Sequence, residues 1–362
     1  MHLTYHPLKI VEVRPEGSDA VCVTLCVPDE LRDTFRFAPG QHLGVRAAID
    51  GQEVRRTYSI CSATDEEHLR IGVRVQDRGS MSGHLGRELR AGDTLEVLPP
   101  TGRFILTPDA KAARTYCAFA GGSGITPILG IIKNVLRHEP DSRFLLFYGN
   151  RTTASIMFAE ELLALKDRYP QRLSLYFLMS REPQDVEVFN GRLDAAKVGM
   201  LGRELFDARG VDGYFLCGPD TMIESVREGL VGLGVEPSRI HSEHFTSDAK
   251  RPAHAPKEEV GLKPDLQKGQ TQVTVVMDGR RRSFAMASDG TTVLEAAEDA
   301  GLELPYSCRA GVCSTCRTRV VRGAVTMMTN YALEPWEVEA GYVLCCQALP
   351  ASTELELTYD ER

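Results

Sequence analysis

Short segments that alternate apolar and polar residues fill the first third of the chain. Such a pattern predicts β-strands with one buried face. The predicted strands are residues 21–27, 42–47, 56–61, 69–76 and 94–97. Turn dipeptides such as Pro39-Gly40 and Asp50-Gly51 separate them. Many short strands with frequent turns predict an antiparallel β-barrel over residues 1–108.

The pattern changes near residue 109. Apolar strands are predicted at residues 115–120, 144–148, 173–179 and 214–217, and helices at 127–137, 155–168 and 220–230. Strands that alternate with helices predict a parallel sheet covered on both faces. An α/β domain is therefore predicted over residues 109–246.

A polar segment, residues 247–270, contains Pro, Lys and Glu without an apolar period, and it predicts a semi-extended, mobile linker. A third domain is predicted over residues 271–362. It begins with alternating segments around Asp278-Gly279, a dipeptide typical of hairpin turns. A helix is predicted from Thr291 to Ala300, ended by Gly301.

The composition is that of a globular protein, with 43% hydrophobic and 25% charged residues among 362. The net charge of -8 argues against nucleic acid as the main partner, because phosphate binding requires a basic face. No run of eighteen apolar residues and no signal-peptide pattern occurs, so no membrane association is predicted. Ten cysteines without a secretory signal predict cytoplasmic thiols and metal ligands rather than disulfides.

Four cysteines near the C-terminus have the spacing of an iron–sulfur site. Cys308, Cys313 and Cys316 follow the pattern C-x4-C-x2-C, and Cys346 comes after twenty-nine further residues. Four thiolates hold two irons bridged by sulfides when three lie on one loop and the fourth on a distant strand. Small residues in the loop let backbone N–H groups approach the cluster sulfurs. The pattern predicts a plant-type [2Fe–2S] cluster.

A structural zinc site is the alternative for these thiols. Zinc ribbons usually carry two C-x2-C pairs, whereas only Cys313 and Cys316 have that spacing. Cys345 lies directly beside the fourth predicted ligand. Cys346 is preferred because its spacing matches the plant-type ferredoxins that the loop resembles.

A glycine-rich turn follows the first predicted strand of the α/β domain. Its sequence is AGGSGITP, in which Thr126 is predicted to cap a helix and the next proline to begin it. Gly121, Gly122 and Gly124 would let a diphosphate approach the helix N-terminus. The alternative is a tight turn that binds nothing.

A later strand of the same domain ends in Cys217-Gly218-Pro219. This places the three residues at the carboxyl edge of the predicted sheet, where α/β domains bind ligands. The alternative for Cys217 is an inert buried thiol.

Two segments of the barrel resemble flavin-binding motifs of the ferredoxin–NADP reductase superfamily. The first, Arg56-Thr57-Tyr58-Ser59, resembles R-x-Y-S in a strand where Arg56 and Tyr58 share one face. The resemblance implies that Arg56 pairs with the flavin pyrophosphate, Tyr58 packs on the isoalloxazine and Ser59 bonds near its N5 atom. Thr57 is included in the predicted flavin site. Ordinary strand packing is the alternative for the tyrosine.

The second segment, Gly79-Ser80-Met81-Ser82, resembles the second phosphate loop of the same superfamily. There, backbone N–H groups and the Ser82 hydroxyl would meet the diphosphate at the start of a short helix. All four residues are therefore predicted to contact the cofactor. FAD, rather than FMN, is implied by the resemblance.

The resemblance also covers the α/β domain. It implies that Cys217 lies against the nicotinamide, and that Glu243 and Phe245 lie near the flavin ring. Ser59, Cys217 and Glu243 are thus the predicted catalytic residues. Phe245 taken alone would be interpreted as a core residue.

Three residues bear on the choice of nucleotide. Ser180-Arg181 resembles the pair that holds the 2′-phosphate in ferredoxin–NADP reductases, and a guanidinium fits a phosphate well. Arg151 would add a second cation. The alternative is that both arginines are solvated loop residues. No acidic residue stands at position 180 to bind a 2′-hydroxyl, so NADPH is predicted, with NADH as the second choice.

The order of the domains indicates an electron-transfer chain. Nicotinamide gives up two electrons together and an iron–sulfur cluster accepts one, so a flavin belongs between them. A flavin barrel, a nucleotide domain and a C-terminal β-grasp ferredoxin domain resemble the reductase components of bacterial oxygenases. The segment TNYALEPWEVEAGYVLCCQALP carries the most specific part of this resemblance, which is closest to the reductase subunits of phenylacetyl-CoA epoxidases.

This resemblance implies an acceptor: the oxygenase subunits of a multicomponent di-iron monooxygenase. Electrons would pass from NADPH through FAD and [2Fe–2S] to that partner. One alternative is a reductase for another acceptor, such as an aromatic-ring oxygenase or a hybrid-cluster protein. Another is a non-catalytic scaffold subunit with zinc in the cysteine site.

Overall fold

The computed structural model describes residues 4–77, 79–245, 258–261, 270–287 and 289–361. The chain divides into two units, one of residues 5–245 and one of residues 246–362 together with 1–4. Among the described residues, no helix has both the length and the apolar character needed to cross a bilayer.

A six-stranded antiparallel sheet forms the N-terminal part of the first unit. Its strands are β1 (His6–Glu16), β2 (Ala20–Cys26), β3 (His42–Ile49), β4 (Gln52–Ser59), β5 (Leu69–Arg74) and β6 (Thr94–Val97), in the order β4-β3-β6-β1-β2-β5. A single helical turn, α1 (Ser80–Gly83), follows β5.

The sheet curves until its two outer strands meet. Ile60, just after β4, forms an antiparallel bridge with Ile71 of β5, and the Cys61 amide donates to the Arg70 carbonyl at 2.8 Å. Alternating residues of the strands, such as Leu43 and Val45, are fully buried inside. The predicted antiparallel barrel is confirmed.

A five-stranded parallel sheet forms the rest of this unit. Its strands are β7 (Thr115–Gly121), β8 (Arg143–Asn150), β9 (Leu173–Met179), β10 (Gly213–Gly218) and β11 (Ile240–His244), in the order β11-β10-β7-β8-β9. Its helices are α2 (Ile125–His138), α3 (Ala159–Arg168), α4 (Ala195–Glu204) and α5 (Asp220–Gly232). Two separate apolar clusters cover the two faces of the sheet, as its connections require. The predicted α/β class is confirmed.

Two helices differ from the prediction. The helix expected from residue 155 begins at Ala159, because Phe158 adopts a left-handed backbone conformation with φ 58° and interrupts the turn before it. Helix α4 was not predicted. It begins at the Asp194 cap, whose carboxylate accepts from the Lys197 amide at 2.8 Å.

The second unit contains two sheets. Strands β12 (Glu258–Gly261), β16 (Ala324–Met327) and β18 (Ala348–Pro350) form one sheet, in the order β12-β16-β18. The other contains β13 (Gln270–Met277), β14 (Arg280–Ala287), β15 (Arg317–Arg322), β17 (Tyr342–Leu344) and β19 (Glu354–Thr358), in the order β14-β13-β19-β15-β17. The helices are α6 (Val293–Asp299) and α7 (Pro335–Glu339). A parallel β13–β19 pair flanked by antiparallel strands, with α6 packed in the same core, is the predicted β-grasp fold.

Two local predictions for this unit hold. Asp278 and Gly279 both have positive φ, as the tight hairpin turn between β13 and β14 requires. Helix α6 is capped by Thr292 through a reciprocal bond with Glu295, and Gly301 follows its end with φ 74°.

Strand β12 lies within the predicted linker. Its four residues, Glu258–Gly261, pair with β16, so this part of the segment belongs to a sheet. Residues 246–257 and 262–269 lie outside the described part of the chain. The exact boundaries of the domains stay predictions.

Candidate functional site

A buried hydrogen-bonded group lies where the barrel and the parallel sheet meet. The Ser59 hydroxyl donates to Oε2 of Glu243 at 3.1 Å, and Nδ1 of His42 lies 3.3 Å from Oε1 of the same carboxylate. Thr101 continues the chain of contacts, with its Oγ1 3.3 Å from His42 Nε2. Glu243 is only 9% exposed, so these contacts replace water around its carboxylate. The structure therefore brings together two of the predicted catalytic residues.

Cys217, the third predicted catalytic residue, lies on the strand next to Glu243. The two residues are register partners in the parallel β10–β11 pair. Burial, and then the Glu243 carboxylate, raise the pKa of the Cys217 thiol well above its usual value. The thiol is therefore neutral at physiological pH, and it suits contact with a ring better than attack as a nucleophile. Phe245 packs against the same apolar cluster as Cys217.

His42 and Thr101 were missed by the sequence analysis. His42 is the first residue of β3 and pairs in register with Ser59, the last residue of β4. The two residues meet at the open end of the hairpin, far from its turn, so only the register of the strands reveals the pair. An isolated bridge joins His42 to Thr101 and completes the group.

The R-x-Y-S strand, β4, places its residues on alternating faces as predicted. Ser59 points to Glu243, whereas Tyr58 packs against the apolar core of the barrel. Nη1 of Arg56 donates to the Arg55 carbonyl at 2.7 Å, and Thr57 pairs with Gly44 of β3. A flavin contact of Arg56, Thr57 and Tyr58 stays a prediction.

The predicted phosphate loop forms the turn into α1. An added Cβ at Gly79 would lie 2.3 Å from Oγ of Ser82, so a larger residue there would displace that hydroxyl. That Oγ accepts from the Gln76 amide at 3.1 Å, which leaves the hydroxyl proton to donate outward. Ser80 is exposed, whereas the Met81 side chain is 1% exposed and lies in the barrel core. Met81 can therefore offer a ligand only its backbone amide.

The glycine turn and the cysteine turn pack backbone against backbone. A Cβ on Gly124 would lie 2.0 Å from the Cys217 carbonyl oxygen, and one on Gly218 would lie 3.0 Å from the Gly121 Cα. A Cβ on Gly121 would also lie 2.8 Å from the Pro219 ring. These three glycines are therefore needed to bring two strand–helix turns together at the edge of the sheet.

Gly122 is the member of this turn that faces open space. Its φ is 53°, and an added Cβ would meet nothing closer than the Arg74 guanidinium at 3.8 Å. Its carbonyl accepts from the Tyr148 hydroxyl at 2.8 Å, which fixes the orientation of the peptide. Gly122 is thus the best placed of the glycines for a diphosphate.

The predicted helix cap at Thr126 was wrong. A single 3-10 turn, Gly122–Gly124, leads into α2, so the cap is Gly124 and Thr126 is the second helical residue. The Thr126 hydroxyl donates to the Ser123 carbonyl at 2.8 Å and is packed against Gly72 of β5. The Thr126 side chain therefore joins the barrel to the parallel sheet, and the residue can offer a ligand only its backbone amide at the helix N-terminus.

The residues predicted to select the nucleotide lie together after β8 and β9. The Ser180 amide donates to the Asn150 carbonyl at 3.0 Å, and the Arg181 amide donates to the Arg151 carbonyl at 2.9 Å. Arg151, Ser180 and Arg181 are all exposed. The loops after β8 and β9 thus carry two guanidinium groups and a hydroxyl beyond the carboxyl edge of the sheet.

The four predicted cluster ligands come together in two pairs. The Cys308 and Cys313 thiols are in hydrogen-bond contact, and so are those of Cys316 and Cys346. Within the described residues, no three His, Cys, Asp or Glu side chains form a group that could hold a metal ion. Two thiols on each side fit a dinuclear cluster, in which each iron takes two cysteine ligands.

The loop around Cys308 stabilises a thiolate. The Cys313 thiol and the amides of Ala310, Val312 and Cys313 lower the pKa of Cys308 to about 6, and the Ala310 amide lies 3.4 Å from the sulfur. Arg309 and Ser314 adopt positive φ, which turns the loop amides inward. Deprotonated sulfur and converging N–H groups are what an iron–sulfur cluster requires.

Cys345 and Cys346 occupy different surroundings. Burial raises the pKa of Cys345 to about 12, so this thiol keeps its proton. Nε2 of the Gln347 side chain donates to the Cys346 sulfur at 3.6 Å, and the Cys316 thiol contacts the same sulfur. Cys346 is therefore the residue of the two that fits as a ligand.

Three family models match the chain in the predicted order. An oxidoreductase FAD-binding domain matches residues 7–105, an oxidoreductase NAD-binding domain matches residues 119–228, and a 2Fe-2S iron-sulfur cluster binding domain matches residues 275–351. The predicted cofactors FAD, NAD(P)H and [2Fe–2S] are thereby confirmed.

Similar proteins match along nearly the whole chain. The chain is 43% identical to one component of the 1,2-phenylacetyl-CoA epoxidase of Escherichia coli, over 99% of each chain. It is 33% identical to the ferredoxin reductase component of 3-ketosteroid-9-alpha-monooxygenase of Rhodococcus rhodochrous, over 97% of this chain and 96% of the relative. The chain belongs to this family of oxygenase reductases. It is an NAD(P)H-dependent flavin and iron–sulfur oxidoreductase.

A solved structure confirms that this family's fold applies to the whole chain. The crystallised phthalate dioxygenase reductase has a TM-score of 0.56 with this reductase, at 23% identity, and the match covers 98% of each chain. The likeness supports the fold alone.

Proposed function

We propose that this reductase serves a phenylacetyl-CoA epoxidase and delivers electrons from NADPH to its di-iron oxygenase subunits. The observation that carries the proposal is 43% identity over 99% of both chains with the epoxidase component of Escherichia coli. Identity with the ketosteroid monooxygenase component is ten points lower, at 33%. This chain matches both relatives along nearly its whole length. The two alternatives therefore share the same electron-transfer chemistry and differ only in the protein that accepts the electrons.

The residues of the chain would prepare each transfer. Bound FAD supplies the change from two-electron to one-electron chemistry. The Ser59 oxygen would accept from the reacting edge of the ring, because its one hydroxyl proton is donated to Glu243 and that carboxylate is in turn held by His42. The neutral Cys217 thiol would form the surface on which a nicotinamide lies. The two cysteine pairs would hold the iron atoms.

NADPH is favoured by two cations after β8 and β9. Within the described residues, the guanidinium groups of Arg151 and Arg181 make no ion pair, so both are available to a phosphate. We expect Arg181→Ala to raise the KM for NADPH about ten- to hundredfold and to leave that for NADH nearly unchanged, because a charged hydrogen bond is lost. Steady-state kinetics with both nucleotides measure this.

Arg203→Ala is the matched control for that variant. Arg203 is an exposed arginine near the end of α4. Its removal should alter neither KM. Equal losses with NADPH and NADH in Arg181→Ala would contradict the choice of NADPH.

Reconstitution tests the proposed acceptor. We expect NADPH oxidation to depend on phenylacetyl-CoA and on the oxygenase subunits of the epoxidase, and to yield the epoxide in proportion. An aromatic-ring oxygenase and a hybrid-cluster protein serve as alternative acceptors in parallel reactions. If the reductase reduced either of these acceptors faster than the epoxidase subunits, that acceptor would be the partner instead.

We also place this reaction in the cytoplasm. None of the ten cysteines, all of which lie in the described residues, forms a disulfide, and unpaired cysteines persist in a reducing compartment. Cell fractionation with an antibody to the chain provides the measurement.

A further inference from the structure

The reductase contains a single tryptophan, and it lies on the surface. Trp336 is the second residue of α7 and is 58% exposed, the largest exposure among the exposed large hydrophobic residues described. A tryptophan side chain removes about 150–250 Å² of surface from water when another surface covers it, so covering this exposed indole would be favourable. It belongs to the TNYALEPWEVEAGY segment, which no cofactor requires.

This segment touches the cluster loop directly. The Tyr331 amide donates to the Gly311 carbonyl at 3.1 Å, and the Ser314 hydroxyl lies 3.5 Å from the Ala332 carbonyl. A Cβ on Gly311 would approach the Thr329 carbonyl to 2.9 Å. A partner held at this segment would therefore sit close to the cluster, where electron transfer is fastest.

The segment is also held rigidly. The Asn330 carboxamide accepts from the Leu333 amide at 2.8 Å and donates to its carbonyl at 3.1 Å. Glu337 has a fully buried side chain and forms an ion pair with Arg317 at 2.7 Å. The helix that carries Trp336 thus starts from a fixed turn and is anchored by a buried charge pair. A rigid aromatic residue loses little entropy on binding, as interface hot spots require.

The charges beside the tryptophan indicate which charge the partner's surface carries. Glu334 and Glu339 are exposed on either side of it, and acidic residues outnumber basic ones in residues 270–361. An aromatic anchor with an acidic rim fits an apolar pocket with a basic rim on another protein.

We propose that Trp336, with Glu334 and Glu339, forms the docking surface for the oxygenase, an inference that rests on the proposed function. The flavin unit of the same chain is tethered, so its high effective concentration removes the need for an anchor. A separate oxygenase must be recognised from solution, and for that an exposed tryptophan provides affinity.

The first experiment observes the surface itself. Because the chain has one tryptophan, incorporation of 5-fluorotryptophan gives a single fluorine-19 resonance from Trp336. Addition of unlabelled oxygenase subunits should shift or broaden that resonance. An unchanged resonance in a mixture that turns over phenylacetyl-CoA would overturn the proposal.

The second experiment measures the contribution of the anchor. Trp336→Ala should raise the KM for the oxygenase about thirtyfold, as expected for a hot-spot residue. The rate at which NADPH reduces the cluster, followed by its absorbance without any acceptor, should stay the same. Slower reduction of the cluster would assign Trp336 to transfer inside the chain and overturn the proposal, as would an unaltered KM.

Controls separate docking from folding and from the proposed function. Val321→Ala removes another exposed apolar side chain of the same unit, which is 55% exposed on β15. It should change neither the KM for the oxygenase nor the rate of cluster reduction. Glu339→Lys should raise the KM and weaken its dependence on salt. If the unaltered reductase supports no turnover with the epoxidase, the proposed function fails. If it supports turnover that Trp336→Ala leaves intact, only the docking surface fails.

Discussion

His42, Ser59 and Glu243 form a buried group that joins one hairpin of the barrel to the last strand of the parallel sheet. Glu243 receives a hydroxyl on one oxygen and faces an imidazole on the other. His42 is therefore a positioning residue, because it contacts the carboxylate rather than the reacting atoms. Its second nitrogen faces Thr101, which fixes the plane of the ring.

Replacement of His42 should slow flavin reduction without weakening nucleotide binding. We expect His42→Leu to lower the rate at which NADPH reduces the flavin about ten- to hundredfold, since a displaced catalytic group costs that much. His42→Asn should recover most of the rate, because its amide can still donate to Glu243. Stopped-flow absorbance under anaerobic conditions measures both. A parallel rise in KM would indicate a binding role instead.

The adjacent cysteines 345 and 346 provide a test of the cluster ligands. Cys346→Ser should abolish the visible absorbance of the cluster and the reduction of cytochrome c, while ferricyanide reduction at the flavin persists. Cys345→Ser should keep the cluster, because that buried thiol holds its proton. The reverse result would exchange their roles.

Among the elements, the two strand–helix turns at the carboxyl edge of the parallel sheet depend on each other. The turn of Gly121–Gly124 and the turn of Cys217–Pro219 touch through main-chain atoms. Neither helix could begin where it does if one turn moved. The positions of Gly122 and Cys217 therefore come from packing between elements rather than from either element alone.

Gly124→Ala should destabilise the reductase by about 1–3 kcal/mol, the usual cost of overpacking. Its new Cβ would lie 2.0 Å from the Cys217 carbonyl oxygen. Gly232→Ala, at the end of α5, meets nothing within 4 Å and should stabilise the fold slightly. Chemical unfolding followed by far-ultraviolet circular dichroism compares the two variants. Similar stabilities would show that the turns adjust freely.

At the scale of the whole molecule, buried charges join the barrel to the parallel sheet. Lys133 of α2 is 1% exposed, donates to the Cys61 carbonyl at 2.9 Å and pairs with Glu66 at 3.1 Å. It also pairs with Glu161 of α3, which Arg70 binds at 2.8 Å. Residues of the barrel and of two helices are thus held in one ion-pair network.

Lys133→Met should cost about 1.5–3 kcal/mol of stability, because it removes a buried cation from two half-buried carboxylates that keep only their arginine partners. Arg137→Met, on the same helix, removes a more exposed pair and should cost about 1 kcal/mol or less. Thermal unfolding of the two variants gives the comparison. Equal losses would mean that the network contributes no more than a surface pair.

The same network makes stability depend on pH. Burial opposes the charged form of Glu161, but Arg70 and Lys133 outweigh it and lower its pKa. A carboxyl whose pKa is lowered by folding contributes stability above its unfolded pKa and loses it as the pH falls through the folded value. Unfolding free energies measured from pH 7 down to acid should therefore fall less steeply in Lys133→Met than in the unaltered chain.

The sequence by itself determined the class of each domain and predicted the four cluster ligands. Strand and helix periods, the hairpin at Asp278-Gly279 and the helix ended by Gly301 depend on neighbours within a few residues, so the chain encodes them locally. The cysteine spacing is equally local for three of the four ligands, and the family resemblance supplied Cys346.

Only the tertiary structure decided how the predicted catalytic group is completed. His42 meets Glu243 across 201 positions of sequence, and Met81 and Thr126 turn away from the ligand side because packing uses their side chains. Strand β12 within the predicted linker likewise depends on its partner β16. Contacts of this kind are set by register and by packing between elements, and no short segment of the sequence contains both partners.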